Sequence, residues 1–540
     1  MIRWWLAFTV SLLLASPAHA GDDRCTALLL GSLGDRQHPI TTQVPEAQRL
    51  FDKGMALAFA FNHDEAGRAF RKAADLDPAC AMCYWGIALV LGPNINAPMD
   101  EKAAAPAHEA VQEALRLTSG VGAREKALIE ALARRYAPGQ DRSALDAAFA
   151  EAMRRVHERF PKDADVAVLF AEALMDLNPW DYWTEDGRPK NHILEVVETL
   201  ETVLAKDPSH PHAIHLYIHA VEASRNPYRA VPHADRLGEL VPGAGHLVHM
   251  PAHAYIRTGH YHKASLANER AIVADDAYQA ECAAKGLYPL AYMPHNHHFL
   301  WATYTLEGRG EDALKAAARL RQRVDEQKMR SPGLGTLQHF WATPLYGLAR
   351  FARWDDALKE PAPPADLLYP LGVWHHLRGR AHAAQGDLAK AEKEAAELAA
   401  LIENPALESV KIWGTNKVSD LLKIGHHLLA GEIAEKQGRQ DEALRHYRAG
   451  LKIENSLYYD EPHSWYQPMN QPLGWALLKA GRAAEAETHF RADLTRHPEN
   501  GWALNGLMKS LDAQGKKAEA RAVRVRFEKA WAFADMKLDR

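Results

Sequence analysis

Cysteine is scarce in this sequence of 540 residues, which contains only Cys25, Cys80, Cys83 and Cys282. Small exported domains that depend on a disulfide framework carry many more cysteines for their length. One or two disulfides remain open to the chain, but its stability must come from packing. A hydrophobic content of 47% supplies enough apolar material for an ordinary globular core.

An excess of positive charge is also missing, because 64 Lys and Arg residues stand against 69 Asp and Glu residues, with a formal net charge of -5. Proteins that bind nucleic acids neutralise phosphates with clustered Lys and Arg. The composition therefore predicts no nucleic-acid partner.

A long hydrophobic run occurs only at the N-terminus, where Arg3 precedes apolar residues 4 to 15 and a small-residue site at 18 to 20. This pattern is typical of a secretory signal peptide, and we expect cleavage after Ala20. The run is too short for a comfortable membrane span, and no later stretch approaches 18 apolar residues, so we expect no span. The predicted location is the bacterial periplasm, with secretion from the cell as the alternative.

Helical periodicity begins at Ala47 and divides into two stretches, with a break near Asn62 and His63. The stretches share small or apolar residues at helical spacing and a proline where the second helix should end, namely Gly54, Leu57, Ala66, Phe70, Ala73 and Pro78. Similar openings of a second helix follow downstream at Gly308, Arg353, Gly438, Gly481 and Gly515. The chain is therefore predicted to be a series of helical hairpins.

This pattern resembles the tetratricopeptide repeat, a 34-residue helical hairpin. The resemblance covers most of residues 45–530 and is strongest at 47–80, 211–275, 424–455 and 467–535. It implies an all-α fold, an α-solenoid of antiparallel hairpins with several loop insertions and a concave groove lined by the first helices. We expect a signal peptide at 1–20, an N-terminal segment at 21–44, N-terminal helical repeats at 45–210, His-rich repeats at 211–320, divergent helical repeats at 321–423 and C-terminal repeats at 424–540. The family implies a fold and a groove, and no reaction.

Histidine is abundant, with 29 residues in the chain. Units of 34 residues begin at Pro211 and Gly245, and a third begins at Pro294 after a 15-residue insertion. Positions 2, 5 and 9 of these units hold His212, His215, His219, His246, His249, His253, His295, His298 and Ala302. Chance would place fewer than one histidine in these positions. Since spacings of three and four keep residues on one helical face, we expect the imidazoles to face each other across the groove.

Neutral imidazole is the commonest protein ligand for transition metals, and two histidines four residues apart can chelate one ion. The sequence therefore predicts one or two transition metal ions in the groove, with copper or zinc favoured by the compartment and iron as a further choice. The expected ligands are His215, His219, His249 and His253, followed by His246, His298, Glu222, His212 and His295. Glu222 could also act as a general base on metal-bound water, so enzymatic activity stays open.

Other functions of the groove also fit the sequence. The histidines could have been inherited by unit duplication and bond backbone carbonyls, or the groove could hold a peptide or protein partner without metal. Histidine and glutamate could also act as acid and base without metal. The segment from His215 to His219 lacks the glutamate that follows the first histidine in zinc peptidases, so that motif is absent. No serine or cysteine nucleophile is evident beside these residues.

Cys80 and Cys83 begin a predicted helix, where a structural disulfide, a redox pair or a metal site would fit. Cys282 has no evident partner. Long insertions at 92–98, 178–183, 286–296 and 458–466 are candidates for lids over the groove. Their aromatic residues Trp180, Trp183, Trp465 and Tyr466 could contact a ligand or could wedge between hairpins.

Further histidines follow at His339, His375, His376, His426 and His427. Adjacent residues on a helix point in different directions, so at most one of each neighbouring pair can face the groove. Of these, His376 falls in the register of the groove wall. We therefore expect a thinner supply of imidazoles in this part of the chain.

Overall fold

The computed structural model describes residue 25, residues 32–184 and residues 186–538. The predicted signal peptide at 1–20 lies outside these residues. Within them the fold is all-α, as predicted, apart from one short β-hairpin. No helix in the described ranges has both the length and the apolar character needed to cross a membrane.

The described residues between 45 and 206 form eight α-helices that pack as consecutive hairpins. They are α1 (Pro45–Ala58), α2 (His63–Leu76), α3 (Ala81–Val90), α4 (Ala104–Arg116), α5 (Ala123–Leu132), α6 (Arg142–Arg159), α7 (Ala164–Met175) and α8 (Ile193–Lys206). In the first hairpin the Asn62 side chain caps α2 by accepting from the Glu65 amide. A Cβ atom at Gly54 or Gly86 would lie 2.4 or 2.6 Å from the Phe70 ring. Glycine at both positions therefore lets Phe70 pack between α1 and α3.

The His-rich part follows the unit lengths that were counted in the sequence. Its elements are α9 (Pro211–Glu222), α10 (Val231–Leu240), α11 (Gly245–His249), α12 (Pro251–Arg257), α13 (Tyr261–Cys282), a π-helical turn at Tyr288–Tyr292, α14 (Met293–Glu307) and α15 (Gly310–Arg323). Two of the first helices begin at Pro211 and Gly245, and Pro294 lies in the first turn of α14. In the middle unit the first helix is divided into α11 and α12 before Pro251, which has no amide hydrogen to continue the helix.

The C-terminal part continues the hairpins. Its elements are α16 (Gly335–Arg350), α17 (Trp354–Ala357), α18 (Leu368–Ala384), α19 (Leu388–Ile402), β1 (Lys411–Ile412), β2 (Asn416–Lys417), α20 (Val418–Lys436), α21 (Gln440–Glu454), α22 (Asn470–Lys479), α23 (Ala483–Arg496), α24 (Gly501–Ala513) and α25 (Lys517–Ala530). The strands β1 and β2 form an antiparallel hairpin. Its turn contains Trp413, which lies beside the His-rich helices.

The array curls until distant repeats meet. At the N-terminal end, the Tyr278 hydroxyl of α13 donates to the Glu65 carboxylate of α2 over 2.9 Å. At the C-terminal end, the Trp502 indole donates to the Thr305 carbonyl over 3.0 Å. The groove in front of the His-rich helices is therefore enclosed, a closure that repeat periodicity does not predict.

All four cysteines form disulfides, which join Cys25 to Cys282 and Cys80 to Cys83. The first disulfide supplies the partner of Cys282 that the sequence did not suggest. The second matches the structural interpretation of Cys80 and Cys83, since both residues are fully buried.

Candidate metal centre

Six histidines from four helices meet in the enclosed groove. Helix α9 contributes His215 and His219, α11 contributes His246 and His249, α12 contributes His253, and α14 contributes His295. None of these residues is more than 8% exposed. They fall into two groups of three, in each of which one ligand atom per residue lies within 4.8 Å of the others. We call His215, His219 and His246 the first group, and His249, His253 and His295 the second group.

In the first group the Nε2 atoms of His215 and His246 lie 3.2 Å apart. The Nδ1 atom of His215 donates to the Phe59 carbonyl over 2.8 Å. Because a carbonyl can only accept, Nδ1 carries the proton, and the Nε2 lone pair of the neutral ring points toward His246. His219 completes this group, and its Nε2 atom has no hydrogen-bond partner.

In the second group the Nε2 atoms of His249 and His253 lie only 2.9 Å apart. His249 Nδ1 contacts Asn268 Oδ1 at 2.7 Å, and the Asn268 amide nitrogen donates to the Ala264 carbonyl, which fixes the orientation of the amide. His249 is therefore protonated on Nδ1, and so is His253, whose Nδ1 donates to the Glu222 carboxylate over 2.7 Å. The Nδ1 atoms of both rings are thus bonded to acceptors, and their Nε2 atoms face each other.

Glu222 links the two groups. Its Oε1 accepts from His219 Nδ1 over 2.8 Å, and its Oε2 accepts from His253 Nδ1 over 2.7 Å. The carboxylate is fully buried. Burial raises its pKa, but the neighbouring His253 and the hydrogen bond from His219 outweigh burial and lower the pKa to about 2. Glu222 is therefore ionised, and it fixes which nitrogen of both histidines is free, as carboxylates behind metal-bound histidines do.

Burial also favours the neutral form of five of the imidazoles. It lowers the pKa of His215, His246, His249 and His295 well below the ordinary value, and the nearest neighbouring histidines lower it further. Burial likewise lowers the pKa of His219. These rings are neutral at pH 7, which is the form that binds metal.

Two predicted ligands lie outside both groups. The His212 ring stacks on Phe59 with centroids 4.0 Å apart, and its Nε2 donates to Glu172 over 3.1 Å. The His298 ring stacks on Trp301 and meets the edge of His339, with centroids 5.4 and 5.1 Å away. Both residues lie on the histidine-bearing face of their helices, as the sequence indicated. Each lies at one end of the line of histidines, beyond the six that converge.

The later histidines do not approach the two groups. His375 contacts Glu394, His376 contacts the Gly425 carbonyl and the Tyr466 hydroxyl, and His427 contacts His446. The register that placed His376 on the groove wall therefore does not bring it to the site.

The first helical hairpin matches a known family. Residues 47–80 match the tetratricopeptide repeat model. The chain is thus an array of α-helical hairpins, the first of which matches the tetratricopeptide repeat. No curated protein sequence matches it.

Solved structures with helical arrays superimpose only loosely on this chain. A chain of the APC/C hetero-tetramer Cut9–Hcn1 has 14% identity and a TM-score of 0.32, over 91% of this chain and 81% of that one. The human IFIT1 dimer with m7Gppp-AAAA has 12% identity and a TM-score of 0.33, over 97% and 96% of the two chains. TM-scores this low say nothing about the function of the present chain.

The insertions between the helical hairpins cover the site and leave a cavity of about 380 Å³ in front of it. Both groups reach this cavity, through His219 and His246 and through His253 and His295. Of the aromatic residues predicted to form lids, Trp180 lines it. Trp465 and Tyr466 are instead buried beside His376, and the Trp183 indole donates to the Ala220 carbonyl.

Sequence reasoning missed several residues that support the histidines. Asn268 lies on α13, the second helix of its unit, whereas the histidine pattern concerns the first helix of each unit. The Phe59 carbonyl belongs to the loop after α1, more than a hundred residues away from His215. Trp413 lies in the turn of a hairpin that no repeat pattern indicates. The aromatic insertions were the available signal for the cavity, since long insertions in a compact array are often functional.

Proposed function

We propose that the two groups bind one or two transition metal ions inside the curled array. The first ion would be held by His215, His219 and His246, and the second by His249, His253 and His295. Both sets consist of imidazole nitrogen ligands, which suit copper and zinc and also accept iron.

The close approach of the His249 and His253 Nε2 atoms, 2.9 Å apart, carries this proposal. Because the Nδ1 atom of each ring bonds an acceptor on the far side, both Nε2 atoms are directed to one place where a cation would fit. Two nitrogens bound at 2.0–2.1 Å to one tetrahedral ion are about 3.3 Å apart, so a small adjustment of this pair accommodates a metal. The 3.2 Å separation of the His215 and His246 nitrogens is already close to that value.

Hydrogen bonds behind the histidines support the same function. Metal-binding histidines usually donate the proton of the other ring nitrogen to a carboxylate or a carbonyl. Here Phe59, Glu222 and Asn268 accept such protons. Glu222 is better suited to orient His219 and His253 than to act as a base, because both of its oxygens are occupied.

Three protein ligands leave one coordination position open on a tetrahedral ion, as in catalytic zinc sites. That position would face the 380 Å³ cavity. Chemistry on a bound molecule and transport or storage of the metal are both consistent with it. The predicted export to the periplasm, or outside the cell, stays part of this proposal.

A partner-binding scaffold without metal is the second candidate, and the tetratricopeptide match favours it. Helical-repeat arrays present concave surfaces to partners. In this chain the insertions cover the concave surface next to the histidines, which leaves a small cavity instead of an open groove. A peptide partner would have to bind elsewhere along the array.

Elemental analysis of the mature protein, purified without an affinity His tag, tests the choice. We expect near-stoichiometric copper or zinc, and loss of that metal in the double variant His219→Ala, His253→Ala. The matched control is His427→Ala, His446→Ala, because these two rings also approach to 3.1 Å between nitrogens but are only half-buried. Protein that is metal-free and takes up no copper, zinc or iron would contradict the proposal, and partner capture would then test the scaffold.

A further inference from the structure

The cavity in front of the histidines has the properties of a binding site for an organic molecule. We refer to this 380 Å³ cavity as the chamber. It is lined by His219 and His246 of the first group and by His253 and His295 of the second. A molecule in the chamber would therefore meet both groups at once. Small-molecule sites of this kind are concave and mostly apolar, with a few polar groups that orient the ligand.

Each group has its own tryptophan at the chamber wall. Trp180 meets the His219 ring edge-on, with centroids 4.9 Å apart, and Trp413 meets the His295 ring edge-on, with centroids 5.6 Å apart. Both tryptophans line the chamber. They come from unrelated insertions, so their matching positions do not follow from the repeat.

Both tryptophans also have an unfavourable backbone conformation. Their φ angles are 63° at Trp180 and 48° at Trp413, in the left-handed region that residues with a Cβ atom rarely adopt. Such conformations concentrate at ligand-binding sites, where the surrounding structure holds a side chain in place for contact. The flat indole faces suit a ring-shaped ligand.

The charges of the chamber disfavour an ionic ligand. Asp146 and Asp176 are paired with Arg135, at 2.8 and 2.7 Å. Asp460 and Glu461 also line the chamber, but burial raises their pKa to about 6 and about 7, so neither is a strong fixed charge. Arg142 lines the chamber too and is paired with Asp146 at 3.0 Å, so the charged groups of the wall are already balanced and offer little to an ionic ligand.

The other residues of the chamber wall indicate which kind of uncharged ring fits better, a sugar or an aromatic ring. Much of it is apolar, with Pro93, Ile95, Pro98 and Pro179 beside the tryptophans. Thr415 and Asn96 add neutral hydrogen-bonding groups. A sugar ring needs hydrogen bonds around its whole edge, whereas an aromatic ring with one or two hydroxyl groups needs few.

We propose that the chamber binds a small uncharged phenol, with its ring against Trp180 and Trp413 and its hydroxyl oxygen toward the two histidine groups. The contact of that oxygen with metal rests on the proposed function. The contact of the ring with the tryptophans is independent of the proposed function.

Calorimetric titration of the mature protein with catechol tests this inference, in metal-free and in zinc-loaded form. Zinc is chosen because it has no redox chemistry and leaves catechol unoxidised. We expect catechol to bind both forms, at least tenfold more tightly with zinc, and more tightly than benzoate, benzylamine or glucose. Tighter binding of any of these three compounds would overturn the inference.

Glycine variants test the role of the tryptophans, because glycine accepts the positive φ angle. Trp180→Gly and Trp413→Gly should each weaken catechol binding at least tenfold, whereas Trp180→Phe, which keeps a ring, should stay within about threefold of the parent. The matched control is Ala352→Gly, since Ala352 has a φ angle of 53° but lies outside the chamber lining. Circular dichroism confirms that each variant is folded. Unchanged affinity in both glycine variants would overturn the inference.

The two proposals fail in different ways. Zinc uptake without catechol binding overturns the phenol site and leaves the metal proposal standing. Catechol binding that depends on both tryptophans, in protein that takes up no metal, overturns the metal proposal and supports the ring site.

Discussion

Two regions of this chain are rich in histidine and use it in different ways. In α9, α11, α12 and α14 the histidines recur at spacings of three and four, and their rings converge in two groups. In α18 and α20 they occur as neighbours in the chain, His375 with His376 and His426 with His427, and their rings contact different partners. The spacing of the histidines is therefore a better guide than their number to whether their rings converge.

The partners behind the rings sharpen this contrast. In the converging region, buried acceptors bond the Nδ1 atoms of four histidines and leave their Nε2 atoms directed toward the centre of each group, namely in His215, His219, His249 and His253. In the other region, His376 uses both nitrogens, since Nδ1 donates to the Gly425 carbonyl and Nε2 accepts from the Tyr466 hydroxyl. A fully bonded imidazole has no lone pair left for a metal.

The largest expected effect comes from removing Glu222. Glu222→Ala leaves two buried imidazole Nδ1–H groups without an acceptor, and we expect a loss of about 3–5 kcal/mol in unfolding free energy. The matched change in the other region is Glu394→Ala, which removes the acceptor shared by His375 and Arg378, two partly exposed side chains, and should cost about 1 kcal/mol or less. Urea unfolding of both variants measures the difference. Equal losses would show that the shared carboxylate has no special role.

The free energy of unfolding should depend on pH in part through His376. Burial, and to a lesser degree Arg380, lower its pKa well below the ordinary value. The unfolded chain then binds a proton that the folded chain does not, so this contribution to stability is complete above about pH 6.5 and is lost as the pH falls. His376→Gln should reduce the slope of stability against pH, between pH 6 and 5, by up to about 1.4 kcal/mol per pH unit. An unchanged slope of the unfolding midpoint would contradict this expectation.

Asn268 offers a smaller test. Asn268→Leu removes the buried acceptor of His249, and we expect a loss of about 2 kcal/mol. Asn470 accepts from the half-buried His489 over 2.9 Å, so Asn470→Leu should cost about 0.5 kcal/mol. Metal content separates the variants further, since only Asn268→Leu should weaken metal binding, by about 10–100-fold. Comparable metal affinity in both variants would argue against Asn268 as a support of the site.

The smallest effect is expected from His427, one of the two histidines in the control variant His427→Ala, His446→Ala. His427→Ala should change the unfolding free energy by about 0.5 kcal/mol or less, because the ring is half-buried and its Nδ1 contacts the equally half-buried His446. Its metal content should equal that of the parent. Loss of metal in this variant would move the site to the C-terminal region.

The sequence predicted much of this arrangement, for reasons that are local. The period of 34 residues and the spacing within each unit depend on helix geometry, and they correctly indicated which face of α9, α11 and α14 carries histidine. They also indicated Glu222, which follows His219 by one helical turn. The aromatic insertions indicated a covered cavity, and Trp180 does line it.

The remainder depends on how the array curls. No spacing brings Phe59 or Trp413 to the histidines, because their contacts arise from the curvature summed over many hairpins. The same curvature leaves His212 and His298 at the ends of the row, although both occupy the correct helical face. Asn268 was missed because it lies on a second helix and supports the site from behind.

The most direct test of the central claim is a crystal structure of the mature protein loaded with copper or zinc, with anomalous diffraction data collected at the absorption edge of the metal. The account predicts one or two anomalous peaks, one among His215, His219 and His246 or one among His249, His253 and His295, or both, with Glu222 hydrogen-bonded behind them. Peaks confined to other residues, such as His427 and His446, or no peak in the enclosed groove at full metal loading, would contradict it.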